Sequence, residues 1–202
     1  MRGLRSLEVP VNKIVKLSLL LGSISLLMTF ALAEVNIITK PEILRQQAEK
    51  TQKALRAVLP EAANGIIEPV TDKGGNIDYY AGYSDPEKNN LVGYAFEASK
   101  AGYSGDVIGV VGIDSVGIIK NLVITRHTET PGLGAKCTID VPFTGKKWTL
   151  KQFTGLTVDD LKVDKDGGAI ISITGATITS RTIANGVKDK LKKVLKTIKN
   201  GA

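Results

Sequence analysis

Residues 17–33 read LSLLLGSISLLMTFALA without one charged side chain, and no other stretch constrains the fold of the chain as strongly. As a helix the run is about 25 Å long, near the lower limit for crossing a bilayer. Ile14 and Val15 lengthen it if Lys16 extends its ammonium toward the headgroups. Arg2, Arg5, Lys13 and Lys16 precede the run and Glu34 follows it. Positive charge favours the cytoplasmic side, so the expectation is a cytoplasmic N-terminus and an extracytoplasmic remainder. A cleaved signal peptide is the competing reading, because Ala31-Leu32-Ala33 has the small residues of a cleavage site. The length of the run favours a single-pass anchor in the cytoplasmic (inner) membrane. The chain then divides into a cytoplasmic stretch 1–13, a transmembrane anchor 14–33, a connector helix 34–60 and one domain, 61–202.

Both readings carry the chain across a membrane, which changes how its charge is understood. The formal net charge is +7. Basic residues are not interleaved with aromatics in any patch, so nucleic acid is not an expected partner. A hydrophobic share of 43% excludes a disordered chain. Cys137 is the only cysteine and His127 the only histidine, which excludes an internal disulfide, an iron–sulfur cluster and a His-rich metal centre.

Beyond the anchor, Pro41–Leu59 carries a partial apolar stripe (Ile43, Leu44, Ala48, Leu55, Val58) and predicts a helix, capped by Thr39 and stopped by Pro60. Tyr79, Tyr80 and Tyr83 suggest a strand within a mixed stretch, 64–90. Leu91–Ala98, Asp106–Ile113 and Gly117–Thr125 read as strands, with Asp114-Ser115-Val116 as a hairpin turn. Thr138–Lys151 is irregular and contains Pro142 and Gly145. Gly168–Thr174 reads as a further strand. Ser180–Ile198 is an amphipathic helix, with Ile183, Val187, Leu191, Val194, Leu195 and Ile198 on one face and lysines on the rest. Helix, antiparallel strands, helix is the pattern of an α+β domain with flanking helices.

Two segments carry chemistry. Thr174-Gly175-Ala176-Thr177-Ile178-Thr179-Ser180 joins a strand to a helix, where unpaired N–H groups and the helix dipole favour an anion. Gly175 and Ala176 leave room for a phosphate. The alternative is a capping cluster with Thr179 or Ser180 as N-cap. The second segment is His127-Thr128-Glu129-Thr130-Pro131-Gly132-Leu133-Gly134. Its polar side chains suit the edge of a heterocycle, and its glycines allow close approach; taken alone, the segment reads better as a polar loop with a structural Glu. No Gly-Lys-Ser/Thr phosphate loop is present.

Together, HTETPGLG and TGATITS resemble the FMN-binding domain family of RnfG and NqrC, components of the ion-translocating Rnf complex and of the sodium-pumping NADH:quinone reductase. Gly102-Tyr103-Ser104-Gly105 ahead of VIGVVGID, Trp148 and Gln152-Phe153 before Thr154-Gly155, and the N-terminal apolar helix support the likeness. It covers essentially the whole chain and is greater to RnfG than to NqrC. The resemblance implies FMN held covalently, by a phosphoester on the threonine after Gly-Ala, here Thr177, with Thr179 as runner-up. It implies a flavin transferase that installs the group, and other membrane subunits of the Rnf complex as partners. The role implied is electron relay in an ion-translocating ferredoxin:NAD oxidoreductase. In that role the chain is not an enzyme by itself. Glu129, Thr130 and Leu133 are the expected contacts to the ring or ribityl chain, and His127 is a further candidate. The remaining alternatives are an NqrC-like component and a noncovalent extracytoplasmic FMN-binding domain. One departure stands out: the family's pattern has an acidic residue six positions before the modified threonine, and here that residue is Ile171.

Overall fold

The structure is a computed structural model that describes residues 11–140 and 148–201. Arg2 and Arg5 of the basic N-terminal stretch, and Pro142 and Gly145 of the irregular segment, lie outside the described residues. The chain divides into two compact units, Met1–Ala48 and Glu49–Ala202.

The first unit is helical from Val11, in a helix, α1, that runs on to Val58. It is long and apolar enough to cross a membrane. Its large apolar side chains stay uncovered: Leu26 is 74% exposed and Leu32 71%. The expected helix start near Pro41 is corrected, because α1 continues through that proline. Thr39 does not cap. Its hydroxyl donates to the Val35 carbonyl one turn back, at 2.8 Å, an option open to a threonine inside a helix.

The second unit takes in the last turns of α1 and a five-stranded antiparallel meander. The strands are β1 (Ile66–Thr71), β2 (Ile77–Tyr83), β3 (Leu91–Ala101), β4 (Asp106–Ile113) and β5 (Ile119–Arg126), in that spatial order. The α+β architecture is therefore as expected. β1 is concealed in the sequence by Pro69, which an edge strand tolerates because one side of its backbone is unpaired. β3 and β4 pair in even register, with Phe96 opposite Val111 and Ala101 opposite Asp106.

Both faces of the sheet are covered. Phe96, Val107, Val111, Ile113 and Leu122 pack with Ile183, Ala184, Val187, Leu191 and Val194 of the C-terminal helix, α2 (Thr177–Gly201). Trp148, Phe153 and Cys137 complete that layer. On the opposite face Ala95 and Val110 meet Ala54, Leu55 and Val58 of α1. A strand covered on both sides reads as a continuous apolar run, which accounts for the VIGVVGI of β4.

Gly168–Thr174 is not a strand of the sheet; its one ladder contact among the described residues is a bridge from Ile170 to Val163. Side chains take up its backbone instead. Gln152 donates to the Ile171 carbonyl at 3.2 Å and accepts from the Ile171 N–H at 2.8 Å, and Ser180 Oγ accepts from the Ile173 N–H at 2.9 Å. The segment has strand-like composition without a neighbouring strand.

α2 is fastened near its C-terminal end by a buried carboxylate. Asp78 of β2 accepts from Lys190 Nζ at 2.7 Å and Thr197 Oγ1 at 3.1 Å, with Lys193 Nζ at 3.3 Å. Burial pushes the Asp78 carboxyl up, but Lys190 with its neighbours outweighs this and holds it below its ordinary 3.8. A carboxyl whose pKa falls on folding stabilises the fold above its unfolded value, and the contribution is lost as pH drops through the folded value. The unfolding midpoint is therefore expected to fall as pH is lowered below about 4, and Asp78→Asn should flatten that dependence. Circular-dichroism melts across the acid range check this.

Candidate functional site

The turn from Ile173 into α2 is built on Gly175, whose φ of +78° lies in the left-handed region that glycine adopts without strain. The Ala176 N–H donates to the Ile173 carbonyl, and the Ser180 N–H closes the first helical bond onto Ala176. α2 thus begins at Thr177, earlier than the amphipathic pattern indicates, and neither Thr179 nor Ser180 is its N-cap. The N–H groups of Thr177, Ile178 and Thr179 have no intrahelical acceptor and mark the positive end of the dipole.

The three hydroxyls in the first turn of α2 have different fates. Thr179 is 1% exposed and donates to Glu129 Oε2 at 2.8 Å. Ser180 is fully buried and bonded to the Ile173 N–H and the Ala176 carbonyl. The Thr177 hydroxyl makes no hydrogen bond among the described residues, and Thr177 is only half-buried.

A cleft of about 460 Å³ opens over this helix start. Gly175, Ala176, Thr177, Ile178 and Thr179 form one wall; Glu129, Thr130, Leu133 and Gly134 face them, with Tyr103 at the rim. The two sequence segments singled out for chemistry therefore meet here, although about fifty residues separate them. Apolar surface stands open around the cleft: Tyr103 is 72% exposed, Ile178 50% and Leu133 46%.

Glu129 is 4% exposed. Its Oε1 accepts from the Tyr103 N–H at 2.8 Å and the Ser104 N–H at 3.3 Å, while Oε2 takes the Thr179 hydroxyl. A Cβ on Gly102 would overlap Oε1, and one on Gly134 would overlap Oε2. Both glycines are thus required by the carboxylate.

Three expected residues lie elsewhere, and one of them, the fully buried Ser180, lines neither this cleft nor the one that holds Thr174. Thr174 lines a second cleft of about 560 Å³ on the other side of Thr177, with Lys136, Trp148, Asp164, Lys165 and Ile171. His127 lines neither cleft, and its Nδ1 is buried without a hydrogen-bond partner among the described residues. Within the second cleft, burial raises the Asp164 carboxyl, yet the Ser172 hydroxyl and N–H and the Lys165 N–H together hold it below the usual carboxylate range. Arg181 grips Asp166 through two hydrogen bonds of 2.6 and 2.7 Å, tying the first turns of α2 to the loop before it. Cys137 is buried, and its thiol is pushed up to about 11, chiefly by desolvation, so it is inert at neutral pH. Tyr103 and Gly134 are not among the expected contacts. The Gly-flanked aromatic in Gly102-Tyr103-Ser104-Gly105 is the sequence signal for the first.

This donor set fits FMN: unpaired helix N–H groups for a phosphate, an uncommitted hydroxyl beside them, and open apolar surface for a planar ring. Comparison with known proteins defines the class. Residues 102–192 match the FMN-binding domain and residues 4–58 the RnfG N-terminal region. The G subunit of the ion-translocating oxidoreductase complex of Methanosarcina acetivorans is 35% identical over 156 residues, 74% of this chain and 77% of the relative. The G subunits of Stutzerimonas stutzeri and Shewanella piezotolerans are 33% and 32% identical, covering 84% and 88% of this chain and 76% and 87% of theirs. The chain belongs to the RnfG family, the G subunits of ion-translocating oxidoreductase complexes. Among solved structures, the C subunit of the Na⁺-translocating NADH-quinone reductase of Parabacteroides distasonis aligns with a TM-score of 0.43 at 22% identity, covering 58% of this chain and 61% of that one.

Proposed function

We propose that this chain is the membrane-anchored flavoprotein subunit of an ion-translocating ferredoxin:NAD oxidoreductase, an Rnf complex, and relays electrons between neighbouring subunits. FMN is attached through its phosphate to Thr177. The observation that carries this reading is the Thr177 hydroxyl itself, which is uncommitted, half-buried and set at the start of α2, whereas the Thr179 and Ser180 hydroxyls are buried and bonded. The N–H groups of the first helical turn neutralise the phosphoester charge. Leu133 and Ile178 offer apolar contact to the ring, and Thr130 offers a polar edge. FMN, when bound, supplies chemistry in steps of one or two electrons, which joins one-electron to two-electron carriers. The open cleft keeps the relay accessible to partner subunits.

A flavin transferase installs the group, and the other membrane subunits of the complex are the working partners. Residues 14–33 anchor the chain with its N-terminus, 1–13, in the cytoplasm; 34–60 connect to the flavin domain, 61–202, outside. Ile171 supports a second reading, noncovalent FMN, because it replaces the acidic residue expected in the transferase target.

Intact-mass measurement on protein from its native membranes, followed by peptide mapping, tests this. The expected result is an FMN-phosphoryl increment on Thr177. An unmodified Thr177 in cells that contain the transferase overturns covalent attachment.

A further inference from the structure

We propose that Glu129 is a positioning residue whose buried carboxylate pins the Gly102–Gly105 turn to the first turn of α2, and that Tyr103, held by that pin, forms an aromatic wall for the flavin ring. The second half of this proposal rests on the flavin reading above.

Burying a carboxylate is costly unless hydrogen bonds replace its water. Glu129 is 4% exposed and receives three: two backbone N–H groups on Oε1 and a hydroxyl on Oε2. The two ends serve different elements. Oε1 holds Tyr103 and Ser104, and Oε2 holds Thr179 of α2, two residues from Thr177. Gly102 and Gly134 close on the carboxylate from both sides, so its position is fixed by shape as well as by bonding.

The turn is laced further. The Gly102 N–H donates to the Gly105 carbonyl at 2.8 Å, Thr128 Oγ1 donates to the Ser104 carbonyl at 3.2 Å, and Ser104 Oγ lies 3.2 Å from Thr130 Oγ1. A turn tied at this many points does not drift. Yet the ring it carries is 72% exposed at the rim of the cleft and makes no aromatic contact among the described residues. An immobilised backbone presenting an unpartnered aromatic beside the proposed attachment hydroxyl is suited to offset or edge contact with a planar heterocycle. Glu129 itself, with both oxygens occupied, acts through Tyr103 and Thr179.

The test uses the full chain in detergent, made with and without the flavin transferase. On flavin-free protein, hydrogen exchange at the Tyr103 and Ser104 amides should quicken about tenfold in Glu129→Asp, which is one methylene too short to serve both ends. Thr179→Val should quicken it in the same direction, and Asp78→Asn, which loosens the far end of α2, should leave it unchanged. On flavin-loaded protein, Tyr103→Ala should raise flavin fluorescence severalfold by removing an aromatic quencher. Tyr103→Phe and Glu129→Gln should stay near wild type, and Glu129→Asp should lie between.

Unaltered exchange in Glu129→Asp overturns the pin. Unaltered fluorescence in Tyr103→Ala, with flavin mapped to Thr177, overturns the wall and leaves the flavin reading intact. Absence of flavin from the wild-type chain overturns the flavin reading and the wall together, while the exchange result decides the pin separately.

Discussion

Replacing Thr177 with valine is expected to abolish the proposed covalent attachment of flavin. The expected mass is that of the bare chain, and denatured, washed protein is colourless where wild type stays yellow. Valine keeps the shape of threonine but has no oxygen to bond phosphorus. The fold should survive, because Thr177 is half-buried and its hydroxyl is bonded to nothing among the described residues; a stability change within about 0.5 kcal/mol is expected for such a site. Serine at the same position restores a hydroxyl and should restore attachment. Thr179→Val is the informative partner. It cuts the bond to Glu129 and buries no new charge, so attachment at Thr177 should persist. Flavin mapped to Thr179 in Thr177→Val would overturn the assignment of the attachment residue.

The second large effect lies away from the site. Gly112→Ala in β4 should destabilise the domain by roughly 3 kcal/mol, the upper end of what overpacking costs. A Cβ there would overlap the Val58 carbonyl and stand 2.9 Å from the Val58 Cβ. Both obstacles sit in the last turn of α1, and main chain cannot rotate aside as a long side chain can. That turn is also held by Asn121, which donates to the Ala57 carbonyl at 3.0 Å. Gly132→Ala is the contrast. Its φ is +79° and nothing lies within 4 Å of an added Cβ, so only backbone strain of about 1 kcal/mol is expected. Urea unfolding followed by the near-ultraviolet signal of buried Trp148 separates the two. Equal midpoints for Gly112→Ala and Gly132→Ala would contradict the close approach of α1 to β4.

Much of this is legible in the sequence, for identifiable reasons. β4 is readable to the residue because a Val/Ile-rich run, broken only by Gly109 and Gly112, lies between Asp106 and the Asp114 turn. The apolar stripe of α2 is readable because its period matches the helix. What escapes is whatever depends on partners distant in the chain. Gly168–Thr174 has the composition of a strand, and nothing local reveals that Gln152 and Ser180 side chains stand in for a neighbouring strand. The start of α2 lies three residues before the expected start at Ser180, because Thr177, Ile178 and Thr179 precede the amphipathic pattern. Pro41 suggests a helix start but lies inside α1. At the site, both chemical segments can be named, but not the direction in which Glu129 points. Its carboxylate turns inward because Gly102, Gly134 and Thr179 assemble a pocket for it from three separated stretches.

The meander has a consequence for how the chain matures. Each strand pairs with the one made just before it, so the sheet can assemble in step with synthesis from hairpin contacts alone. The cleft cannot. One of its walls is the first turn of α2, and α2 follows the whole sheet in the chain. Thr177 acquires its bonded surroundings only after Ile183, Val187 and Leu191 have docked on the finished sheet. A modifying enzyme that reads the turn in its folded shape would therefore pass over truncated and half-folded copies, and the attached cofactor would certify that the whole domain had been completed.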